Sequence, residues 1–251
     1  MSSRGDGRIT APPARPRRRL ALALLIAVAG GVGVPPSVPA HDAGNLQDEF
    51  IKGVFSPAFV PPPAGSYELP AIRKVSAFTL RDAAGRPANT RTLMAGKVAV
   101  VSFIYTACVD RTGCPLASVT LRDLQAKLRD EGLAQQAVLL SISFDPGRDT
   151  PSELAKYARI YDADPALWQF LTVPSRPLLA RVLDSYGQDQ APVYDERGRF
   201  TGRYRHVLKV FLVDRDGHVR NIYSAGLLSP ALVVNDIKTV LGANGSRSPR
   251  P

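Results

Sequence analysis

Two nearly unbroken apolar, β-branched runs dominate the middle of the chain, Lys97–Tyr105 and Ala137–Phe144. A strand with one wet face alternates apolar and polar residues, whereas a run apolar at almost every position must be covered on both faces. Between the two runs Pro115 stands where a helix opens. Ala117, Leu121, Leu124 and Leu128 then recur at helical spacing and form one apolar stripe that ends near Gly132. Strand, helix, strand with both strands buried is the pattern of a crossover between parallel neighbours in a sheet with helices packed on it.

The flanking segments extend this unit. A short strand is expected around Ala77–Arg81, followed by a turn at Ala84-Gly85-Arg86-Pro87. Thr150-Pro151-Ser152-Glu153 supplies an N-cap, a first-turn proline and a capping-box glutamate for a helix reaching about Tyr161. Trp168–Val173 reads as a strand and Ser175–Tyr186 as a helix. Gln188–Arg205 is polar, with a hairpin-like turn at Asp195-Glu196-Arg197-Gly198, and reads as an insertion. Val207–Asp214 and His218–Tyr223 flank Arg215-Asp216-Gly217 as an antiparallel hairpin, and Ser229-Pro230 opens a last helix that stops at Gly242. Parallel crossovers closed by a ββα unit predict an α/β, thioredoxin-like fold with a central mixed sheet flanked by helices and an inserted hairpin.

The ends of the chain read differently. Residues 1–40 pass from Arg15, Arg17, Arg18 and Arg19 into the apolar run Leu20 to Val34 and on to Val38-Pro39-Ala40, the layout of an export signal. The run is shorter than the ~20 residues of a spanning helix, which favours a cleaved signal over a retained N-terminal membrane anchor. Residues 41–70, with Pro61-Pro62-Pro63, read as an extended Pro-rich arm, residues 71–242 as the folded domain and residues 243–251 as a disordered tail. Setting aside the six arginines and one aspartate of residues 1–40 brings the formal charge of +10 down to about +5. That is too mild to argue for nucleic acid and leaves a docking surface for an acidic partner open.

Two cysteines in an exported chain can form a disulfide, a redox pair or a metal site. Cys108 lies just past the C-terminal end of the first buried strand, the edge where open α/β sheets carry their sites, and Cys114 abuts the next helix. A helix N-terminus favours thiolate over thiol. A structural disulfide across so short a loop would stabilise the fold by only about 2 kcal/mol, so a functional pair is the stronger reading. His206, before the strand Val207–Asp214, completes a soft donor set of two thiolates and an imidazole, suited to Cu(I) and less to zinc. His41, the new N-terminus if cleavage follows Ala40, is incidental, and His218 is a solvated strand residue. Asp145 shares the sheet edge with the cysteines, where it can accept a hydrogen bond from a donor residue or tune thiol ionisation, or it belongs to an ordinary turn in which Asp149 and Thr150 cap the next helix.

Several stretches carry a family resemblance: Val101-Ser102-Phe103-Ile104-Tyr105-Thr106 with Cys108, Cys114-Pro115, Ser143-Phe144-Asp145-Pro146 with Asp149-Thr150-Pro151, and His206 before Phe211-Leu212-Val213-Asp214-Arg215-Asp216-Gly217. From about Ala71 to Leu241 the chain resembles the Sco (SenC) family of copper-binding, thioredoxin-fold proteins. The resemblance implies copper, Cu(I) or Cu(II), held by Cys108, Cys114 and His206. It further implies a metallochaperone that delivers copper to, or keeps reduced the thiols of, the copper subunit of cytochrome c oxidase, with a periplasmic thiol reductant as a second partner. The expected location is the bacterial periplasm or the outer face of the cytoplasmic membrane, with membrane attachment through the N-terminal segment common in that family. Here five residues, Val109-Asp110-Arg111-Thr112-Gly113, separate the cysteines, where the family usually has three. A metal-free thiol–disulfide oxidoreductase, with Cys108 and Cys114 as the redox pair, is the alternative, and a thiol peroxidase ranks below it.

Overall fold

The computed structural model describes residues 59–245; the expectations for residues 1–40, for the first part of the arm and for the end of the tail lie outside them. In chain order the elements are β1 (Arg73–Lys74), β2 (Thr79–Asp82), β3 (Pro87–Asn89), α1 (Thr90–Met94), β4 (Val98–Ile104), α2 (Cys114–Asp130), β5 (Ala137–Ser143), α3 (Pro151–Ile160), β6 (Trp168–Thr172), α4 (Arg176–Tyr186), β7 (Gln190–Tyr194), β8 (Phe200–His206), β9 (Val210–Val213), β10 (His218–Tyr223) and α5 (Pro230–Gly245). Eight strands form one mixed sheet in the order β1-β10-β9-β4-β5-β6-β2-β3, while β7 and β8 pair as a separate two-stranded sheet. Among the described residues no helix is long and apolar enough to cross a membrane.

The two apolar runs become the centre of the sheet. Every residue of β4 and of β5 is buried. The pair runs parallel with Val101 opposite Leu140, and on its other edge β4 runs antiparallel to β9 with Val101 opposite Phe211. The α2 and α5 helices pack on each other and on β4. Tyr186 of α4 meets Phe103 and Phe211 edge-on, with ring centroids 5.2 and 5.3 Å away. The serines inside this apolar slab find partners: Ser102 Oγ and Ser141 Oγ are 2.9 Å apart, and Trp168 Nε1 donates to Ser141 Oγ at 3.0 Å.

Local chemistry sets the helix starts. Thr150 and Ser175 cap α3 and α4, their side chains accepting from Glu153 N and Leu178 N, with a proline in each first turn. Glu153 turns to Lys156 and not back to the cap. Residues 59–70 carry neither helix nor strand and lie along α5 and β10. Asn235 Nδ2 donates to Pro62 O at 2.8 Å, Gly65 N to Thr239 Oγ1 at 2.9 Å and Arg220 Nε to Leu69 O at 2.6 Å. Buried Asp236 accepts from Tyr67, Tyr223 and Asn221.

The structure departs from the sequence expectation at four places. The turn at Ala84–Pro87 is the tip of a β2–β3 hairpin, closed by Asp82 Oδ1 accepting from Ala84 N and Arg86 N, and a five-residue helix, α1, follows under an Asn89 cap. So short a helix shows no periodicity to read. The strand expected from Val207 begins only at Val210, and His206 ends β8. There Gly202, Tyr204 and His206 alternate with exposed Arg203 and Arg205, a period of two that makes the stretch a strand in its own right. The last helix runs past Gly242 to Gly245, since one glycine costs about 1 kcal/mol and does not end a helix alone. Two residues, Arg73 and Lys74, add an edge strand antiparallel to β10.

Leu124, fully buried on α2, anchors that helix to the core. Leu124→Ala is expected to lower unfolding stability by about 3 kcal/mol in a denaturant titration followed by circular dichroism.

Candidate metal centre

The three expected donors converge at the C-terminal edge of the central strands. Sγ of Cys108, Sγ of Cys114 and a ring nitrogen of His206 all lie within 4.8 Å of one another, and Cys114 Sγ is 3.7 Å from His206 Nε2. An ion bound in a plane by sulfur at about 2.3 Å and nitrogen at about 2.1 Å holds those atoms roughly 3.8–4.0 Å apart. The donor set therefore fits a single soft ion after small side-chain movements. Both cysteines are free thiols.

The five-residue spacer folds into turns that bring the sulfurs together. Cys108 N donates to Tyr105 O at 3.1 Å just after β4 ends, and Gly113 N closes back on Asp110 O at 3.0 Å. A Cβ on Gly113 would stand 3.3 Å from that same Asp110 O, so glycine lets the loop fold this tightly. Asp110 Oδ1 accepts from Thr112 N at 3.0 Å and from Thr112 Oγ1 at 2.8 Å. Cys114 is then the first residue of α2, with Pro115 second.

The two thiols are unequal. Cys114 is 0 % exposed, and burial pushes its pKa well above the ordinary value. Cys108 is only half-buried, and its pKa is drawn down to about 6. The largest cause is the hydrogen bond from Cys114, joined by backbone N–H groups of Cys114 and Asp110 and the nearby His206. The pair thus shares one proton, held on Cys114. This corrects the expectation that the helix N-terminus would acidify its own cysteine, because full desolvation outweighs the helix end.

Two buried carboxylates frame the donors. Asp149 accepts from Thr106 Oγ1 at 2.6 Å, Thr106 N at 3.2 Å and Ser143 Oγ at 2.5 Å, so it ties the start of the cysteine loop to the end of β5. The cap of α3 is Thr150 alone. Burial raises the Asp149 carboxyl pKa. Asp145, also buried, accepts from Tyr204 Oη at 3.0 Å. It reaches the donors only through β8, on which Tyr204 stands two residues before His206. The His206 ring rests against Phe144 and Tyr105, with centroids 5.1 and 5.7 Å away, and Tyr204 packs on both of those rings. Sequence reasoning named Asp145 and missed Asp149, Thr106, Tyr105, Phe144 and Tyr204 as parts of this site. The spacing of Asp145 and Asp149 around a Pro-Gly turn was the available signal.

Among the described residues a second cluster, Asp214, Asp216 and His218, also brings ligand-type atoms within 4.8 Å. It is a hairpin turn whose carboxylate is already engaged. Asp214 Oδ1 accepts from Asp216 N and His218 N, and Oδ2 from Arg220 Nη1 at 3.0 Å. His218 is partly covered and lies 3.6 Å from Asp214, more enclosed than a solvated strand residue. His41 lies outside the described residues.

Comparison with known proteins identifies the family of the chain. The SCO1/SenC family model matches residues 68–242. A SCO1 protein homolog of Bacillus subtilis is 30% identical over 172 residues, which cover 68% of this chain and 84% of the relative. Copper-bound ScoI of Bradyrhizobium japonicum superposes with a TM-score of 0.55 at 25% identity, covering 66% of this chain and 99% of that one. BsSco, described as a member of the Sco family of cytochrome c oxidase assembly proteins with a disulfide switch, superposes with a TM-score of 0.55 at 27% identity, covering 69% and 98%. A central mixed sheet flanked by helices, two cysteines at its edge and a family match across the whole folded region lead to one conclusion: the chain belongs to the SCO1/SenC family.

Proposed function

We propose that Cys108, Cys114 and His206 bind one Cu(I) and that the protein carries it, outside the cytoplasm, to a copper-receiving respiratory enzyme such as cytochrome c oxidase. The observation that carries this reading is the convergence of exactly the soft donors that Cu(I) favours. A copper-bound structure of a ScoI relative supports it. The apolar run Leu20 to Val34, behind an arginine-rich start, supports export, by a cleaved signal or a retained anchor.

The proton balance follows from the thiols. Cys108 enters as thiolate near neutral pH, so binding displaces one proton, the one held on Cys114. His206 binds through Nε2, the atom facing Cys114, while its ring is held by Phe144 and Tyr105. Tyr204, tied to Asp145, keeps the end of β8 in place and so acts on the ion only through His206.

A second reading has an observation of its own: an accessible acidic thiol beside a buried neutral one is the arrangement of a thiol–disulfide pair. Cys108 would attack a partner's disulfide, and Cys114 would then displace the partner's thiolate while forming the Cys108–Cys114 disulfide. This fits a protein that keeps an acceptor's thiols reduced, with a periplasmic thiol reductant to regenerate it.

Titration of the reduced protein with Cu(I) against a competing chelator is expected to give one ion per chain. His206→Ala should weaken binding by more than the ~10–100-fold that loss of an outer hydrogen-bond partner costs. Either cysteine-to-serine variant should abolish tight binding, and unchanged affinity in His206→Ala would remove the three-donor model. Tyr204→Phe should cost about tenfold and alter the X-ray absorption signature of the nitrogen donor.

The metal-free protein should show thiolate absorbance rising with pH through about 6. In Cys108→Ser that step should vanish and leave only a titration at high pH. Alkylation at neutral pH is expected at Cys108 and not at Cys114, read by peptide mass.

A further inference from the structure

Among the described residues three buried side-chain atoms have no hydrogen-bond partner: Tyr186 Oη, Gln188 Oε1 and Gln190 Oε1. A buried polar atom without a partner is uncommon in a folded protein and demands a reason. Tyr186 is packed in the core against the rings of Phe103 and Phe211. Gln188 precedes β7, and its amide nitrogen is spent on the main chain, donating to Asp189 O and Val207 O. Gln190 differs from both, because the strand ladder sets it opposite a donor of the metal centre.

In the β7–β8 pair the partner of Gln190 is His206, and that of Pro192 is Tyr204. Residues directly opposite in an antiparallel pair send their side chains to the same face, with Cβ atoms about 4.5–5.5 Å apart. On β8 that face carries Tyr204 and His206, while exposed Arg203 and Arg205 occupy the other. The Tyr204 and His206 rings both pack on Tyr105 and Phe144, which makes it the inward face. The unpartnered oxygen of Gln190 therefore shares a side of the hairpin with the imidazole and lies within side-chain reach of it.

The imidazole has a matching lack. Its Nε2 stands 3.7 Å from Cys114 Sγ, and an ion bound at that nitrogen requires a neutral ring with its proton on Nδ1. Histidines that bind metal almost always donate this second N–H to a carboxylate, a carbonyl or water. Here Nδ1 has Tyr204 O at 3.5 Å, well beyond the separation of about 2.9–3.0 Å usual for such a bond. A donor with a poor acceptor thus stands across the ladder from an acceptor with no donor.

We propose that Gln190 is a positioning residue of the metal centre: its Oε1 accepts the Nδ1–H of His206 and holds the ring in the tautomer that leaves Nε2 free for the ion. The proposal deepens the Cu(I) reading and rests on it. Rotation of the Gln190 side chain closes the bond, and the register of β7 against β8 keeps the two residues opposite each other. Tyr204 holds the strand through Asp145, whereas Gln190 acts on the ring itself.

The test compares the full-length reduced protein with Gln190→Met, which keeps the side-chain length and removes the acceptor, and Gln190→Glu, which keeps an acceptor oxygen. Proton–nitrogen correlation spectra of the metal-free protein, isotope-labelled at histidine, read the tautomer of the neutral ring, with His206→Ala assigning the signal. Competition against a chelator reads the Cu(I) affinity. The unsubstituted protein is expected to carry the His206 proton on Nδ1. In Gln190→Met the proton should move towards Nε2 and the affinity fall by about 10–100-fold, while Gln190→Glu should keep both. An unsubstituted ring protonated on Nε2, or a tautomer and affinity untouched in Gln190→Met, would overturn the role. Equal losses in Gln190→Met and Gln190→Glu would overturn it too, leaving Gln190 as packing. Cu(I) held equally by all three chains refutes the positioning role alone. A tautomer that follows residue 190 in a chain that holds no Cu(I) refutes the copper reading and leaves the hydrogen bond standing.

Discussion

A buried carboxylate that accepts three hydrogen bonds holds the site in register with the fold. Asp149 joins Thr106, the residue that leads from β4 into the cysteine loop, to Ser143 at the end of β5. An unpaired buried carboxylate would be costly, and here each donor comes from one of the two central strands or the turn just beyond. The ends of both strands are thereby locked together where the chain must leave the sheet. Cys108 can then stand clear of the core while Cys114 sinks into it.

Upon that frame the three donors are held with different firmness. Cys114 begins α2 and has no exposed surface, so the packing of a 17-residue helix fixes it. Cys108 sits on a loop shaped by turns and by Gly113. His206 stands on a strand that is not laddered to the main sheet, since β8 belongs to the separate β7–β8 pair. Its position comes from rings, Tyr105 and Phe144 beneath it, and from the Tyr204 bond to Asp145. Two sulfurs close in sequence and one distant imidazole are thus brought together by quite different means.

Much of this could be read from residue order. The fully apolar runs announced β4 and β5, and the strand end and helix start located Cys108 and Cys114, because both signals are local. The cap at Thr150 was legible for the same reason. What escaped was long-range or a contest between effects. Nothing near Asp145 in sequence points to Tyr204, 59 positions away, and Asp149 looked like one more capping residue beside Thr150. The sign of the Cys114 shift depended on how completely the helix start is buried, which periodicity does not reveal. The link between β8 and β9 reads as part of the next strand because Val207 and Leu208 continue the apolar pattern of Val210–Val213.

The separateness of the β7–β8 pair has a consequence for how such a site can change over generations. No ladder hydrogen bond crosses from this hairpin to the eight-stranded sheet. Substitutions or length changes at its tip around Asp195–Gly198 therefore leave the core pairing intact. The imidazole and the surface around it are a replaceable attachment, whereas the sulfurs are built into the foundation. Selection can retune the one without rebuilding the other.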